Sequence, residues 1–285
     1  MQFSHTRYFK IRLGQVLFKF GSNSPYVSGD SIAALADYVV FGRNKNRKVS
    51  IRRLNQARTI FVPGEKLYDL LENYGHEIKA TCLITGNSDE NFTILPNLPD
   101  SIKLWLCQNN AIINSTVVKT LPIGIENRRL GRNGFPHLYR KSYSSASKSR
   151  VLVPPMSPTN PIRTEIILQA LKKSEIFDVH TKLIPEKEYF DLTRKYKFIL
   201  CCEGNGFENH RVWETLYQGS FPILLRTNWS TSLEYLNLPI LFVDSIDDIN
   251  LKLLEAFYHQ NSSFLPHLTP ALWIPFWDRL IKGLE

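Results

Sequence analysis

No apolar run in this chain approaches the ~20 residues a helix needs to cross a bilayer. The N-terminus also lacks a hydrophobic core followed by a cleavage site. Both absences point to the cytoplasm. Cysteine is scarce: Cys82, Cys107, Cys201 and Cys202 all lie in segments that read as strands, none has zinc-type spacing with histidine, and buried free thiols are the better reading. There is no G-x-S-x-G elbow, and neither Cys201 nor Cys202 opens a helix, so a serine or cysteine hydrolase is poorly supported. The Walker pattern of a P-loop kinase is missing. The run GNGFEN lacks the third glycine of a nicotinamide fingerprint and comes late in the chain. Finally, no Asp-x-Asp occurs, and Asp244, Asp247 and Asp248 sit at a loop-to-helix junction that capping explains. No metal or other cofactor is expected.

What is present is an ordinary globular composition, 43% apolar and 21% charged over 285 residues, enough for two α/β domains with their own cores. Positive charge is unevenly placed. Residues 1–58 carry eleven Lys or Arg against Asp30 and Asp37, which accounts for the whole formal excess of +9. The cluster at 43–58 is read either as a solvated basic loop or as a contact for an anionic membrane surface, a lipid-linked phosphate or nucleic acid. Nucleic acid is the weakest of these, because no recognised binding motif accompanies the charge.

Strand-like and helix-like runs alternate, the pattern of mainly parallel sheets covered by helices. The first series is SGDSIAALADYVV as a helix capped by Ser28 or Asp30, RTIFV as a strand, GEKLYDLLENYG as a helix, then strands over 78–86, 102–109 and 117–125. The polar segment 140–150 reads as a linker. A second series follows, and TPALWIPFWDRLIKGL reads as an aromatic-rich terminal helix packing back across both halves. The expected domains are 1–145 and 146–285.

The most informative stretch is 197–225, KFILCCEGNGFENHRVWETLYQGSFPILL. An apolar strand runs into a loop whose Gly204 and Gly206 permit close backbone approach around Asn205. Asn209 or His210 then starts a helix whose N-terminus suits a phosphate. His210 and Arg211 add donors at that end. Arg211, Glu214 and Thr215 share a helix face, where Glu214 can accept from ribose hydroxyls or simply pair with Arg211. In the first half, TGNSDEN places Asn87, Ser88 and Asp89 at the carboxyl end of a strand; Gln108 and Asn109 end the next, and Gly124, Glu126 and Asn127 the one after. Asp89 and then Glu126 are the candidate bases for taking a proton from an acceptor hydroxyl, with Asn87 and Asn109 as acceptor contacts. Asn87 and Asp89 equally suit a simple turn or cap.

Gly204, Asn205, Gly206, His210, Arg211, Trp213, Glu214, Gly219, Pro222 and Ile223 together resemble the donor-binding signature of exostosin-like glycosyltransferases of the GT-B class. The segments ILPNLPDSIKLWLCQNN and LPIGIEN look like the acceptor half of bacterial members. The resemblance implies an α/β fold with two Rossmann-like domains facing across a cleft. It also implies metal-independent transfer of a sugar from a nucleotide sugar to a saccharide or lipid-linked acceptor, in cell-surface polysaccharide synthesis. The rival is a non-catalytic protein that binds a nucleotide sugar or polyanion and lacks the base.

Overall fold

The computed structural model describes residues 23–41, 48–131, 133–139 and 148–283. Arg43, Lys45 and Arg47 of the basic cluster, and most of the expected linker, lie outside the described residues. Within them the chain is α/β and builds two five-stranded sheets, all of whose described pairings are parallel.

The first sheet runs in chain order: β1 (Tyr38–Val39), β2 (Thr59–Pro63), β3 (Cys82–Gly86), β4 (Leu104–Cys107) and β5 (Val118–Thr120). It is accompanied by α1 (Gly29–Ala33), α2 (Ile51–Gln56) and α3 (Leu67–Tyr74). The second comprises β6 (Lys148–Val153), β7 (Phe177–Val179), β8 (Tyr196–Leu200), β9 (Phe221–Leu225) and β10 (Leu241–Val243), in the order β10-β9-β8-β6-β7. Its helices are α4 (Pro161–Leu171), α5 (Glu186–Thr193), α6 (His210–Tyr217), α7 (Asn228–Thr231) and α8 (Leu251–Gln260), and α9 (Ile274–Lys282) closes the described chain. The partition between sheets is compatible with two Rossmann-like units. Among the described residues no helix is long and apolar enough to cross a membrane.

Strands β2 and β3 are buried at every position, as expected when both faces of a parallel sheet are covered. Because side chains alternate along a strand, each sheet feeds two cores. Ile60, Val62, Leu83 and Trp105 enter a core on the outer face of the first sheet, and Val151, Val153, Phe198 and Ile223 one on the outer face of the second. The opposite faces meet. Phe61, Ile84 and Leu106 belong to one continuous cluster with Leu152, Ile199 and Leu224, joined through Trp213, Tyr217 and Trp277. The two halves are therefore welded along part of their boundary by apolar packing.

The terminal helix takes part in that weld. Ile274 N–H donates to the Pro25 carbonyl at 2.9 Å, Trp273 bridges antiparallel to Tyr26, and the Tyr217 hydroxyl of α6 donates to the Leu272 carbonyl. Three local readings need correction. Val39, read as helical, pairs with Phe61 in β1. Residues 148–150, read as linker, begin β6. The end of the predicted helix over 161–177 turns into edge strand β7, because Lys172 caps α4 and Phe177 N–H closes onto the Lys173 carbonyl.

Candidate functional site

In the second sheet β6 is followed by β7 on one side, and the chain then returns past β6 to place β8 on its other side. The order is that of a flavodoxin-like sheet, whose ligands sit beyond the carboxyl ends of the two strands where the winding direction reverses. Here those strands are β6 and β8, neighbours in register at Val151↔Phe198 and Leu152↔Ile199. Two loops leave this point, residues 154–160 into α4 and residues 201–209 into α6. Asn160 caps α4, accepting from Ile162 N–H at 3.1 Å, and ties the loops together by donating Nδ2–H to the Gly204 carbonyl at 3.1 Å. Asn209 caps α6, accepting from Arg211 N–H at 2.7 Å.

Two guanidiniums flank these helix starts. Arg211 donates Nε–H to the Tyr189 hydroxyl at 3.1 Å and Nη2–H to the Pro155 carbonyl at 2.9 Å. Arg163, on the first turn of α4, donates Nε–H to the Glu203 carbonyl and Nη1–H to the Ser157 carbonyl, both at 2.9 Å, and to Thr159 Oγ1 at 3.0 Å. Arg163 is thus aimed by carbonyls of both loops and Arg211 by the Pro155 carbonyl and the Tyr189 hydroxyl, and each keeps a terminal nitrogen, Nη1 of Arg211 and Nη2 of Arg163, with no partner among the described residues. Neither forms an ion pair among those residues. Burial, followed by the charge of Arg211, lowers the pKa of Arg163. Burial also works against the charge of Arg211, but Tyr189 and Glu214 outweigh it and its pKa is raised. Glu214 offsets part of the charge of Arg211, but two like charges held together with no carboxylate in direct contact suit an anion. Arg163 escaped the sequence reading because nothing in the segment around it marks a site; only the strand order brings it beside Arg211.

The glycine loop has the expected closeness. A Cβ on Gly204 would lie 2.6 Å from the Glu208 carbonyl, and one on Gly206 would lie 2.8 Å from Asn109 Oδ1. The second contact shows what the loop faces, namely the first half of the chain. Asn109 accepts from Glu208 N–H at 2.8 Å and donates to the Ser88 carbonyl at 3.0 Å. Asn91 Oδ1 accepts from Phe207 N–H at 2.8 Å, and Asn205 Nδ2 donates to Asp89 Oδ2 at 3.3 Å. Asn109 is 1% exposed. It is a strut between the halves, which corrects its reading as an acceptor contact: its side-chain oxygen and one amide hydrogen are already taken. Asp89 lies exposed at the mouth of the same boundary.

Glu214 and Thr215 also differ from expectation. Thr215 is 1% exposed and returns its hydroxyl to the Arg211 carbonyl at 2.7 Å, so helix packing takes it out of ligand reach. Glu214 is 3% exposed, accepting from Asn133 Nδ2 at 3.0 Å and from the Tyr189 hydroxyl at 3.2 Å. Burial raises its pKa, opposed by Arg211 and those two donors. The chain Glu214–Tyr189–Arg211 makes Glu214 a positioning group for the guanidinium instead of a hydroxyl acceptor.

Asn87, with φ of 54°, is likewise held in a network. Its Nδ2 donates to Asp30 Oδ1 at 3.2 Å, and its Oδ1 accepts from Asn127 Nδ2 at 2.7 Å. Asp30, buried, pairs with Arg129 at 2.9 Å. His210 bridges the halves: its Nδ1 lies 2.8 Å from the Gly124 carbonyl. Burial lowers its pKa, against that hydrogen bond and the carboxylates of Glu126 and Asp89. The structure therefore gathers Asp89, Glu126 and His210 at one boundary, and Gly204, Asn205, Gly206 and Arg211 along the loop that abuts it.

Glu208 carries no role in the sequence reading, yet it is the most confined carboxyl of the loop. Its Oε1 accepts from Ile123 N–H of the first half at 2.9 Å and from Trp213 Nε1–H at 2.6 Å. Its Oε2 is buried with no partner among the described residues. Burial pushes its pKa up to about 8 against those donors. All four cysteines are free and buried, and burial raises each thiol. Among the described residues no group of three or more His, Cys, Asp or Glu is arranged to hold a metal ion. A surface hollow of about 420 Å³ lined by Leu71, His76, Lys79, Leu98 and Asp100 lies near the amino ends of β3 and β4, away from these residues. Neither a protein-family model nor a curated protein sequence matches the chain.

Proposed function

We propose that this chain is a glycosyltransferase of the exostosin-like GT-B type, taking a nucleotide sugar as donor and a saccharide or lipid-linked glycan as acceptor. One observation carries the reading: Arg163 and Arg211 converge, unpaired with any carboxylate among the described residues, on the helix starts at the reversal point between β6 and β8. An anion with several oxygens suits that arrangement, and the diphosphate of an activated sugar is such an anion. The guanidiniums and helix N-termini supply the charge needed to stabilise a departing diphosphate without a metal. The boundary with the first half, where Asp89, Glu126 and His210 gather, is where an acceptor hydroxyl would meet the anomeric carbon. Work in cell-surface polysaccharide synthesis on the cytoplasmic side, with residues 43–58 touching an anionic membrane, completes the proposal.

The bridges from Asn91, Asn109 and Ile123 to residues 207–208 favour a second reading, a binding protein whose boundary stays closed to an acceptor. Titration calorimetry with UDP, UDP-glucose, UDP-N-acetylglucosamine and GDP-mannose tests the site. Replacing Arg163 or Arg211 by Ala is expected to weaken the best of these by about 10- to 100-fold, the cost of one charge-assisted hydrogen bond. Affinities within twofold of the parent would remove the anion site. Intact affinity with no nucleoside-diphosphate release from any bound donor would leave the binding protein standing.

A further inference from the structure

The geometry points to His210 as the group that takes the proton from the acceptor hydroxyl. The inference rests on the transferase reading. It replaces the two carboxylates as the base and assigns them another task.

His210 is the first residue of α6, on the donor-binding half, and its ring reaches across to the first half, where Nδ1 lies 2.8 Å from the Gly124 carbonyl. A carbonyl can only accept, so Nδ1 carries the hydrogen and the neutral ring presents the lone pair on Nε2. Nε2 has no partner among the described residues, and the ring is only partly covered. The Gly124 backbone that sets this contact is itself fixed. It has φ of 67°, bridges antiparallel to Ser28, and is followed by Ile125, whose N–H donates to the Val27 carbonyl at 2.9 Å, so this turn is tied down. The tautomer and direction of the ring are therefore built in.

The charged groups facing the ring are Glu126, two residues beyond Gly124, and Asp89, on the loop after β3. Asp89 is exposed and already accepts from Asn205. An imidazole with a free ring nitrogen suits a general base working at neutral pH. Both carboxylates serve better by stabilising the imidazolium once it forms. In the step itself the acceptor O–H bond breaks and its proton passes to Nε2. The oxygen forms the bond to the anomeric carbon, whose bond to the phosphate oxygen breaks, and that electron pair leaves on the diphosphate held by Arg163 and Arg211.

The test measures nucleoside-diphosphate release from UDP-glucose, UDP-N-acetylglucosamine and GDP-mannose across pH 4.5–9, with water and with added oligosaccharides as acceptors, on the whole chain. For the parent protein, log kcat/KM is expected to be level at neutral pH and to fall with unit slope as pH drops below the usual histidine range, because the base must be unprotonated. His210→Asn keeps a donor for the Gly124 carbonyl and is expected to cost 10²- to 10⁴-fold in kcat, abolish the acid limb and leave UDP affinity within about threefold. A variant with parent-like kcat, or one that keeps the acid limb, overturns the inference. So does a parent profile without that limb, a result that needs no variant to fold. Absence of turnover with every donor, in the parent protein, is instead the failure of the transferase reading, and the two failures are separated by the parent's own activity.

Discussion

Replacing Glu208 by Gln tests the physical account of the boundary between the halves. In the unfolded chain a glutamate titrates near 4.3, and in the fold burial pushes Glu208 to about 8. A carboxyl raised on folding binds its proton more tightly in the native state, so its contribution is fully present below the unfolded value. That contribution is lost progressively as pH rises toward the folded one. At 1.36 kcal/mol per tenfold ratio, the displacement corresponds to a loss of about 5 kcal/mol between pH 4 and pH 8. That is a large part of the 5–15 kcal/mol typical of a domain. Glutamine keeps an acceptor for Ile123 N–H and Trp213 Nε1–H but cannot ionise. It places an amide where Oε2 now lies buried without a partner among the described residues, a cost of about 1–3 kcal/mol that is the same at every pH. The informative quantity is therefore the slope and not the offset. Urea unfolding from pH 4.5 to 8.5 should show the stability difference, variant minus parent, rising steadily in favour of the variant. A difference constant to within 1 kcal/mol across that range would refute the reasoning.

Two other substitutions probe features of the same region. Tyr189→Phe cuts the link from Glu214 to Arg211 and leaves a buried carboxylate oxygen one donor short. Thermal unfolding should register a loss of about 1–3 kcal/mol, and UDP affinity should fall severalfold as the guanidinium loses its aim. Gly124→Ala sets a Cβ against the Val27 carbonyl at a positive φ and should destabilise by about 3 kcal/mol or more, measured by chemical denaturation; a cost under 1 kcal/mol would mean that strand end is free to move.

Much of this arrangement was legible in the sequence, and the remainder has definable causes. Alternating apolar runs and helical periodicities reveal most strands and helices because burial periodicity is local. The caps at Ser28 and Asn209 follow from side-chain chemistry confined to a few residues. Short edge strands are harder. Phe177–Val179 is three residues long and merges with the apolar pattern of the preceding helix, and Tyr38–Val39 is shorter still. Strand order is not locally encoded at all, so nothing in PIRTEIILQALKK announces that Arg163 lies beside Arg211. The same limit applies to Asn109 and Glu214: an Asn at a strand end or a Glu on a helix face reads as a ligand contact, and only the opposing half reveals that it is occupied. Where sequence reasoning placed polar residues near the boundary, packing decided which of them could still reach a ligand.

The seam between Tyr26 and Trp273 also bears on how the polypeptide matures. Partners so far apart in the sequence cannot meet until the segment through Trp273 has left the ribosome. The ribosome will release a first half whose inner apolar face is still uncovered, since domains emerge N-terminal first. Chaperone occupancy during translation, and a strong sensitivity of yield to the last turn of α9, are built into such a plan.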